Sequence, residues 1–299
     1  MIISASYKTD IPAFYGSWFM NRLRAGYCLM TQPYNGKTLR ISLQPQDVDG
    51  FVFWTKNISP FLKHLPEIPG PFVIQYTING YPRQLEYAVV DPKKSIQHMH
   101  RIADQFGPEV CVWRYDTILL TSLTDLDFHR KNFRSLAERL AGATNEVVIS
   151  FAHFYRKTQT NLRRAASSEG FDWHDPSSQI KRNLCKELFN LALEHGMKLT
   201  VCAQPEYQSG DAGTARCIDA TRLSAIAGRP IAAKTSGNRP ACLCNQCRDI
   251  GEYDTCPHGC VYCYAVRNHT AAVARHQQHD PHGEYLFAPV ICNRSAGNV

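Results

Sequence analysis

The sequence predicts an α/β protein built on a parallel sheet that curls into a (βα)6-type partial barrel. Six short apolar segments recur along the chain, and helical patterns separate them. The segments are nearly continuous in apolar character, as is typical of strands buried on both faces of a parallel sheet. Right-handed crossovers through the intervening helices would curl such a sheet. The predicted strands are Ile2–Ser6, Phe51–Thr55, Phe72–Ile78, Val110–Tyr115, Glu146–Ala152 and Lys198–Ala203.

Capping residues predict the helices that connect these strands. Asp10 can cap a helix that has Pro12 in its first turn, and Gly26 can close that helix. Four further helical patterns end within two residues of a glycine, the residue that most often follows a helix in the left-handed conformation. These predicted helices are Pro92–Phe106, Thr124–Leu140, Ser178–His195 and Asp219–Ala227. A closing helix is predicted at Tyr264–Gln278.

The chain of 299 residues is long enough for one large domain or two small ones. No low-complexity linker divides it, so we predict a single domain. Residues 1–234 would form the barrel, residues 235–278 a Cys-rich segment with the closing helix, and residues 279–299 a tail.

Charge and apolar content limit the environment of the protein. The formal net charge is +7, from 33 Lys and Arg against 26 Asp and Glu, which permits an anionic partner without requiring one. No apolar run approaches the ~18 residues of a membrane span. The first residues are too polar for a secretion signal. We therefore expect a cytoplasmic protein with no membrane partner.

The cysteines predict a metal site. Six of the twelve fall within 22 residues, and clustered thiols in a reducing compartment usually bind metal. The stretch TCPHGCVYCYA places Cys256, Cys260 and Cys263 in the spacing C-x3-C-x2-C. A structural zinc ion takes four ligands, whereas three thiolates suit a [4Fe–4S] cluster whose fourth iron stays open. Gly259 allows the tight loop that such a cluster needs.

This spacing, with the aromatic Tyr262 before the last cysteine, resembles the signature of radical S-adenosylmethionine (SAM) enzymes. The continuation Y-C-Y is most similar to their spore-photoproduct-lyase-like branch. The resemblance implies a [4Fe–4S] cluster on Cys256, Cys260 and Cys263, SAM at the open iron beside Tyr262, and a 5′-deoxyadenosyl radical that abstracts hydrogen. It also implies a parallel βα barrel and an electron donor such as flavodoxin or ferredoxin. Nucleic-acid lesion chemistry is the option that the branch suggests for the unidentified substrate.

The place of the motif in the chain departs from that superfamily, in which it follows the first strand. Here it follows the sixth predicted strand. A circular permutation reconciles the two orders, because the motif loop and the closing helix would then complete the barrel against Ile2–Ser6.

A second resemblance covers most of the chain. The chain is similar to a bacterial family carried as a domain of unknown function, which implies a cluster site but no particular reaction. The resemblance is carried by ISASYKTDIPAFY, VFWTKN, WRYDTILL, CID and DIGEYDTCPHGCVYCYA.

Four further cysteines form a second candidate metal site. Cys242 and Cys244 follow a C-x-C pattern, Cys202 ends the sixth predicted strand, and Cys217 lies shortly after it. Four thiolates suit a structural zinc ion or a closed auxiliary iron–sulfur cluster, and the sequence does not distinguish the two. The alternative is that Cys202 and Cys217 are buried apolar residues. Packing or surface roles are expected for Cys28, Cys111, Cys185 and Cys292.

Polar residues follow the predicted strands at their carboxyl ends, where parallel α/β folds bind ligands. Asp10, Lys56, Arg114 and Asp116 are the candidate substrate groups. Arg114 can bind a carboxylate or phosphate bidentately, or it can form a structural ion pair with Asp116 or Asp10. The basic segment Tyr155–Arg164 can meet nucleic acid, or it can be a solvated helix face.

Two other functions are compatible with the sequence. A non-catalytic protein would use zinc or iron–sulfur sites for structure or sensing, with every site fully ligated. A metal-dependent hydrolase of the βα-barrel type needs His and Asp ligands at strand ends, and only His153 and Asp116 lie there.

Overall fold

The structure is a computed structural model that describes residues 1–32, 36–209, 211–237 and 239–289. Two short 3-10 helices, Ser59–Glu67 and Pro205–Tyr207, accompany its regular elements. The strands are β1 Ile2–Ala5, β2 Tyr27–Thr31, β3 Thr38–Ser42, β4 Gly50–Thr55, β5 Phe72–Thr77, β6 Cys111–Ile118, β7 Glu146–Phe151, β8 Lys198–Val201, β9 Gly213–Thr214 and β10 Cys247–Asp249. The helices are α1 Ile11–Phe14, α2 Gly16–Ala25, α3 Pro92–Phe106, α4 Leu126–Leu140, α5 Arg156–Glu169, α6 Ser178–Glu194, α7 Ala220–Ala227 and α8 His269–Gln277.

The helices begin where polar side chains cap them. Asp10 accepts a hydrogen bond from the N–H of Ala13 at the start of α1, and the predicted first helix is divided because Tyr15 leaves the helical conformation before α2. The closing helix begins at His269 rather than Tyr264, because Asn268 caps it there. Across the described ranges, no helix is long and apolar enough to cross a membrane.

One large sheet organises the fold. Its spatial strand order is β10-β1-β4-β5-β6-β7-β8-β9, and all the neighbouring strands run parallel. The short β10 lies at one edge and pairs with β1, with Cys247 opposite Ile2 and Asp249 opposite Ser4. The hairpin of β2 and β3 stands apart from this sheet. A late segment of the chain therefore lies beside its first strand.

Both faces of the sheet are buried. The face that we call the helix face carries large side chains such as Phe53 and Trp113, and Trp113 stacks on Phe133 of α4 at 4.8 Å between ring centroids. The opposite face, which we call the cysteine face, is lined by smaller side chains such as Val52 and Val112 and packs against the segment 215–247. Burial on both sides explains why the strand segments are mostly apolar rather than alternating.

The prediction of a parallel α/β sheet is confirmed, and each of the six predicted strands overlaps a strand of that sheet. The (βα)6 barrel is not confirmed: the described sheet has 8 strands. The two additional strands, β9 and β10, have 2 and 3 residues, which is too short for a periodic pattern. Within the predicted tail, residues 290–299, which include Cys292, lie outside the described residues.

Buried His129 of α4 makes stability depend on pH. Its Nε2–H donates to the Leu119 carbonyl oxygen (3.1 Å), so its Nδ1 accepts from the Tyr115 hydroxyl (2.9 Å). Burial lowers its pKa from 6.5 to about 4. The unfolded chain therefore binds this proton more tightly than the folded protein, so the contribution is complete above pH 6.5 and is lost as the pH falls toward 4.

We expect the free energy of unfolding to fall by about 3 kcal/mol across this window because of His129. Urea unfolding at a series of pH values measures it. His129→Gln should have a flatter pH profile, while His100→Gln, at a partly exposed position, should keep the wild-type slope. An unchanged slope in His129→Gln would contradict the assignment.

Candidate metal centre

The loop that carries the cysteine triplet begins at the edge of the sheet. Asp249, the last residue of β10, accepts hydrogen bonds from the Ser4 and Ser6 hydroxyls (2.8 Å each) and from the N–H of Tyr7 (3.0 Å). Lys8 pairs with the same carboxylate at 3.4 Å. The carboxylate thereby fixes the start of the loop to the end of β1.

The triplet of Cys256, Cys260 and Cys263 lines a single cavity of about 240 Å³. Burial raises the pKa of all three thiols, and a carboxylate raises it further at two of them, Asp10 at Cys256 and Glu86 at Cys260. Backbone N–H groups act in the opposite direction: that of His258 donates to Cys256, and that of Ala265 donates to the Cys263 sulfur (3.3 Å). The structure therefore brings the three predicted thiols together.

The triplet loop is tightly folded at Gly259. Its φ is +70°, and a Cβ atom there would lie 2.9 Å from Nε2 of His269 and 3.0 Å from the Tyr87 ring. Glycine is therefore required both by backbone conformation and by space. Asn161 and Arg164 of α5 line the cavity beside this loop.

Tyr262 lies in a buried hydrogen-bond network. Its hydroxyl donates to the Glu86 carboxylate and accepts from Lys56 Nζ (3.2 Å) and Asn79 Nδ2 (2.9 Å). Burial lowers the pKa of Lys56, but the charges of Glu86 and Cys260 outweigh it and raise the pKa above its ordinary value. The ammonium group, 2.8 Å from Glu86, therefore stays charged close to the Cys260 thiol.

Asp10 joins three parts of the site. Its carboxylate accepts from the backbone N–H of Lys56 (2.7 Å) and of Ala13 (2.9 Å), and it contacts His258 Nε2 at 2.7 Å. The His258 ring also packs edge-on against Phe14, with 4.7 Å between ring centroids. These contacts link α1, the end of β4 and the triplet loop, so Asp10 positions the loop.

Arg114 and Asp116 form a buried ion pair at the carboxyl end of β6. Arg114 Nε donates to Asp116 Oδ2 (3.1 Å), and its Nη1 donates to Gln75 Oε1 (3.1 Å) and to the Cys217 sulfur (3.0 Å). The guanidinium lies 5.0 Å from the Trp54 ring. The structural ion pair between Arg114 and Asp116, one of the two roles that the sequence allowed for Arg114, is therefore present. Together with the bonds to Gln75 and Cys217, it occupies most of the N–H donors of Arg114.

The acidity of Asp116 follows from this pair. Burial raises its pKa, but the charge of Arg114 and a hydrogen bond from Ser150 lower it more, so that the pKa lies below its ordinary value. The charge of Asp116 also contributes to the raised pKa of Lys56. Lys56, Arg114 and Asp116 therefore share one electrostatic environment.

The other four predicted cysteines lie in contact in the order Cys202, Cys217, Cys244 and Cys242, which we call the four-thiol row. The sulfur atoms of Cys202 and Cys217 are 3.8 Å apart. Cys244 lies close enough to Cys217 to shift the pKa of that thiol, and Cys242 lies close enough to shift the pKa of Cys244. The first three are buried and Cys242 is partly exposed. The four cysteines that the sequence grouped as a second candidate metal site therefore lie close together in the fold.

Within the described part of the chain, no three His, Cys, Asp or Glu side chains are placed to hold a metal ion as they stand. The hydrolase alternative has no preformed ligand set there, because Asp116 is paired with Arg114 and His153 Nε2 lies 3.1 Å from the Gln204 amide nitrogen.

A family model described as a domain of unknown function, DUF1848, matches residues 2–265. The chain belongs to the DUF1848 family. The predicted membership in a family of unknown function is thus confirmed. The matched range of this DUF1848 chain includes both cysteine sets and ends before α8. No curated protein and no solved structure matches it.

Three residues of the candidate site in this DUF1848 chain were not predicted from the sequence. Asp249 ends a strand of only 3 residues, Glu86 lies in an irregular segment that meets Cys260 through an isolated bridge, and His258 stands at an unspecified position of the motif. No local pattern marks these three residues, because each reaches the site through contacts with residues distant in sequence.

Proposed function

We propose that this DUF1848 chain is a radical-SAM-like enzyme that holds a [4Fe–4S] cluster on Cys256, Cys260 and Cys263. One observation carries the proposal: the C-x3-C-x2-C loop follows an edge strand, β10, which pairs in parallel with β1. The three thiols therefore lie at the carboxyl edge, where parallel α/β folds place their active sites. When bound, the cluster and SAM would supply a 5′-deoxyadenosyl radical for hydrogen abstraction.

The strand order supports a permuted form of the radical-SAM arrangement. In spatial order β10 comes first and β1 second, although β10 comes last in sequence. A motif loop after β10 is then a motif loop after the first strand of the sheet. The late position of the triplet in sequence is therefore compatible with an early position in space.

The residues around the triplet fit an anionic cluster. Backbone N–H groups face Cys256 and Cys263, and Lys56 carries its charge next to Cys260. Hydrogen bonds to sulfur and nearby cations stabilise thiolate ligands and tune a cluster. Because three thiolates bind three irons, SAM would take the fourth, beside Tyr262.

The polar groups at the same edge would hold the substrate. Asp116 is kept ionised by Arg114 and is the acceptor there, while Lys56 is a charged donor. Arg164 of α5 reaches the cavity from another side, which suits an anionic substrate and leaves nucleic acid as one class to test. A one-electron donor such as flavodoxin or ferredoxin would supply the reducing equivalent.

Anaerobic purification followed by iron and sulfide analysis tests the proposal. We expect about four irons per triplet, and formation of 5′-deoxyadenosine when the protein is reduced with SAM. Cys260→Ala should lose both, because it removes one of only three protein ligands. The matched control is Cys185→Ala, a buried cysteine of α6 outside both cysteine sets, which should keep both.

Two results would overturn this function. Protein that contains zinc but no iron would remove the radical chemistry. Iron without SAM cleavage would favour the non-catalytic alternative, in which the metal sites serve structure or sensing.

A further inference from the structure

We propose that the four-thiol row, Cys202, Cys217, Cys244 and Cys242, is a structural zinc site that positions Arg114. This inference does not depend on the proposed radical chemistry, because it concerns different cysteines. It also decides between the two metals that the sequence left open for these thiols.

The spacing of the sulfur atoms favours a single ion. Four thiolates about 2.3 Å from a tetrahedral zinc ion lie about 3.8 Å from one another. The Cys202 and Cys217 sulfurs are 3.8 Å apart, and the buried Cys244 lies beside Cys217 in the same cluster. A four-iron cluster places each thiolate on a different iron and so holds them farther apart.

Arg239 contacts both ends of the row. Its Nη2 donates to the Cys202 sulfur (3.4 Å), and its carbonyl oxygen accepts from the N–H of Cys242 (3.1 Å). Cys242 is the partly exposed member and lies on a turn. Movement of this turn toward Cys202 would close the row around one ion, a step that is needed because the side chains do not surround an ion as they stand.

The surroundings match the charge of such a site. A zinc ion with four thiolates carries a net charge of about −2, and Arg114 and Arg239 bring two guanidinium groups to the sulfurs of Cys217 and Cys202. The N–H of Ile218 also points at the Cys244 sulfur (3.5 Å). Three of the four cysteines are buried, as is typical of structural sites.

The zinc site would act on the candidate substrate group Asp116 through Arg114. One side of its guanidinium donates to Cys217, and the other pairs with Asp116. A zinc-bound Cys217 is a fixed, negatively charged acceptor, so it would hold Arg114 in the orientation that pairs with Asp116. Arg114 is thus a positioning residue between the zinc site and Asp116.

Metal analysis of the full chain tests the proposal. We expect one zinc per chain in the wild type and in a variant with alanine at Cys256, Cys260 and Cys263. Cobalt(II) added to chelator-treated protein should give the visible absorption of a tetrahedral thiolate site. Cys242→Ser should lose the zinc and this spectrum, and because Cys242 is partly exposed on a turn, circular dichroism should show a folded chain.

Two further variants sharpen the test. Cys247→Ser, three positions beyond Cys244, is the matched control and should keep one zinc. Arg114→Met should weaken zinc binding about tenfold, the lower end of the effect of residues that bond to metal ligands. Zinc that survives in Cys242→Ser, or iron and sulfide in the triplet-alanine variant, would overturn the proposal.

Discussion

Asp249→Ala is expected to lower the free energy of unfolding by about 3–5 kcal/mol, because it leaves a buried partner charge and several donors unpaired. The carboxylate is 4% exposed and pairs with Lys8, whose side chain is 10% exposed. The Ser4 and Ser6 hydroxyls and two backbone N–H groups would also lose their acceptor. Urea unfolding at neutral pH measures the change.

The matched control for this variant is Asp49→Ala. Asp49 also holds the beginning of β1, through an ion pair with the Met1 ammonium group, but it is 39% exposed. Solvent screens such a pair, so the loss should stay within about 1 kcal/mol. Equal losses in the two variants would show that burial of the Asp249 network contributes nothing. Because the triplet loop begins just after Asp249, iron content should fall only in Asp249→Ala.

Arg114→Met is the second large expected effect. The Arg114 side chain is 4% exposed and that of Asp116 is 21% exposed, so the substitution leaves a poorly solvated carboxylate without its cation. Breaking a buried pair from one side costs about 3–5 kcal/mol. Chemical denaturation of the wild type and the variant gives this difference.

The pH dependence of the Arg114→Met effect has a defined sign. The pKa of Asp116 is lowered in the folded protein, so its contribution to stability is present above the ordinary pKa of an aspartate and is lost as the pH falls below it. The difference between wild type and variant should therefore shrink at acid pH. The control Arg130→Met, in a pair that is 41% and 42% exposed, should cost no more than about 1 kcal/mol. A difference that is constant with pH would contradict the role of Asp116.

The sequence predicted those parts of the fold that have a repeated local signal. The strands β4 to β8 are mostly apolar, so they were visible without tertiary information. The edge strand β10 has the sequence Cys-Arg-Asp. It forms a strand because it pairs with β1. Pairing between residues so far apart in sequence leaves no local pattern.

The candidate site also has one part with a local sequence signal and another part without one. Spacing alone identified the triplet, because Cys256, Cys260 and Cys263 lie on one short loop. Contacts such as Arg114 with Cys217 join residues 103 positions apart, and the sequence could propose a charged partner for Arg114 but not a thiol. The functional assignment stays a prediction, whereas the structure shows that the triplet lines one cavity and that Cys202 and Cys217 are in contact.

The pairing of β10 with β1 has a consequence for biosynthesis. Ser4 and its partner Asp249 are separated by 245 residues, and at about 5–20 residues per second β1 would wait roughly 10–50 s on the ribosome for that partner. During this time one edge of the growing sheet would expose unpaired backbone groups, which invite association with other chains. The cysteine-bearing loop is synthesised after β1 and after β4 to β8, so it would join a sheet whose other strands are already made.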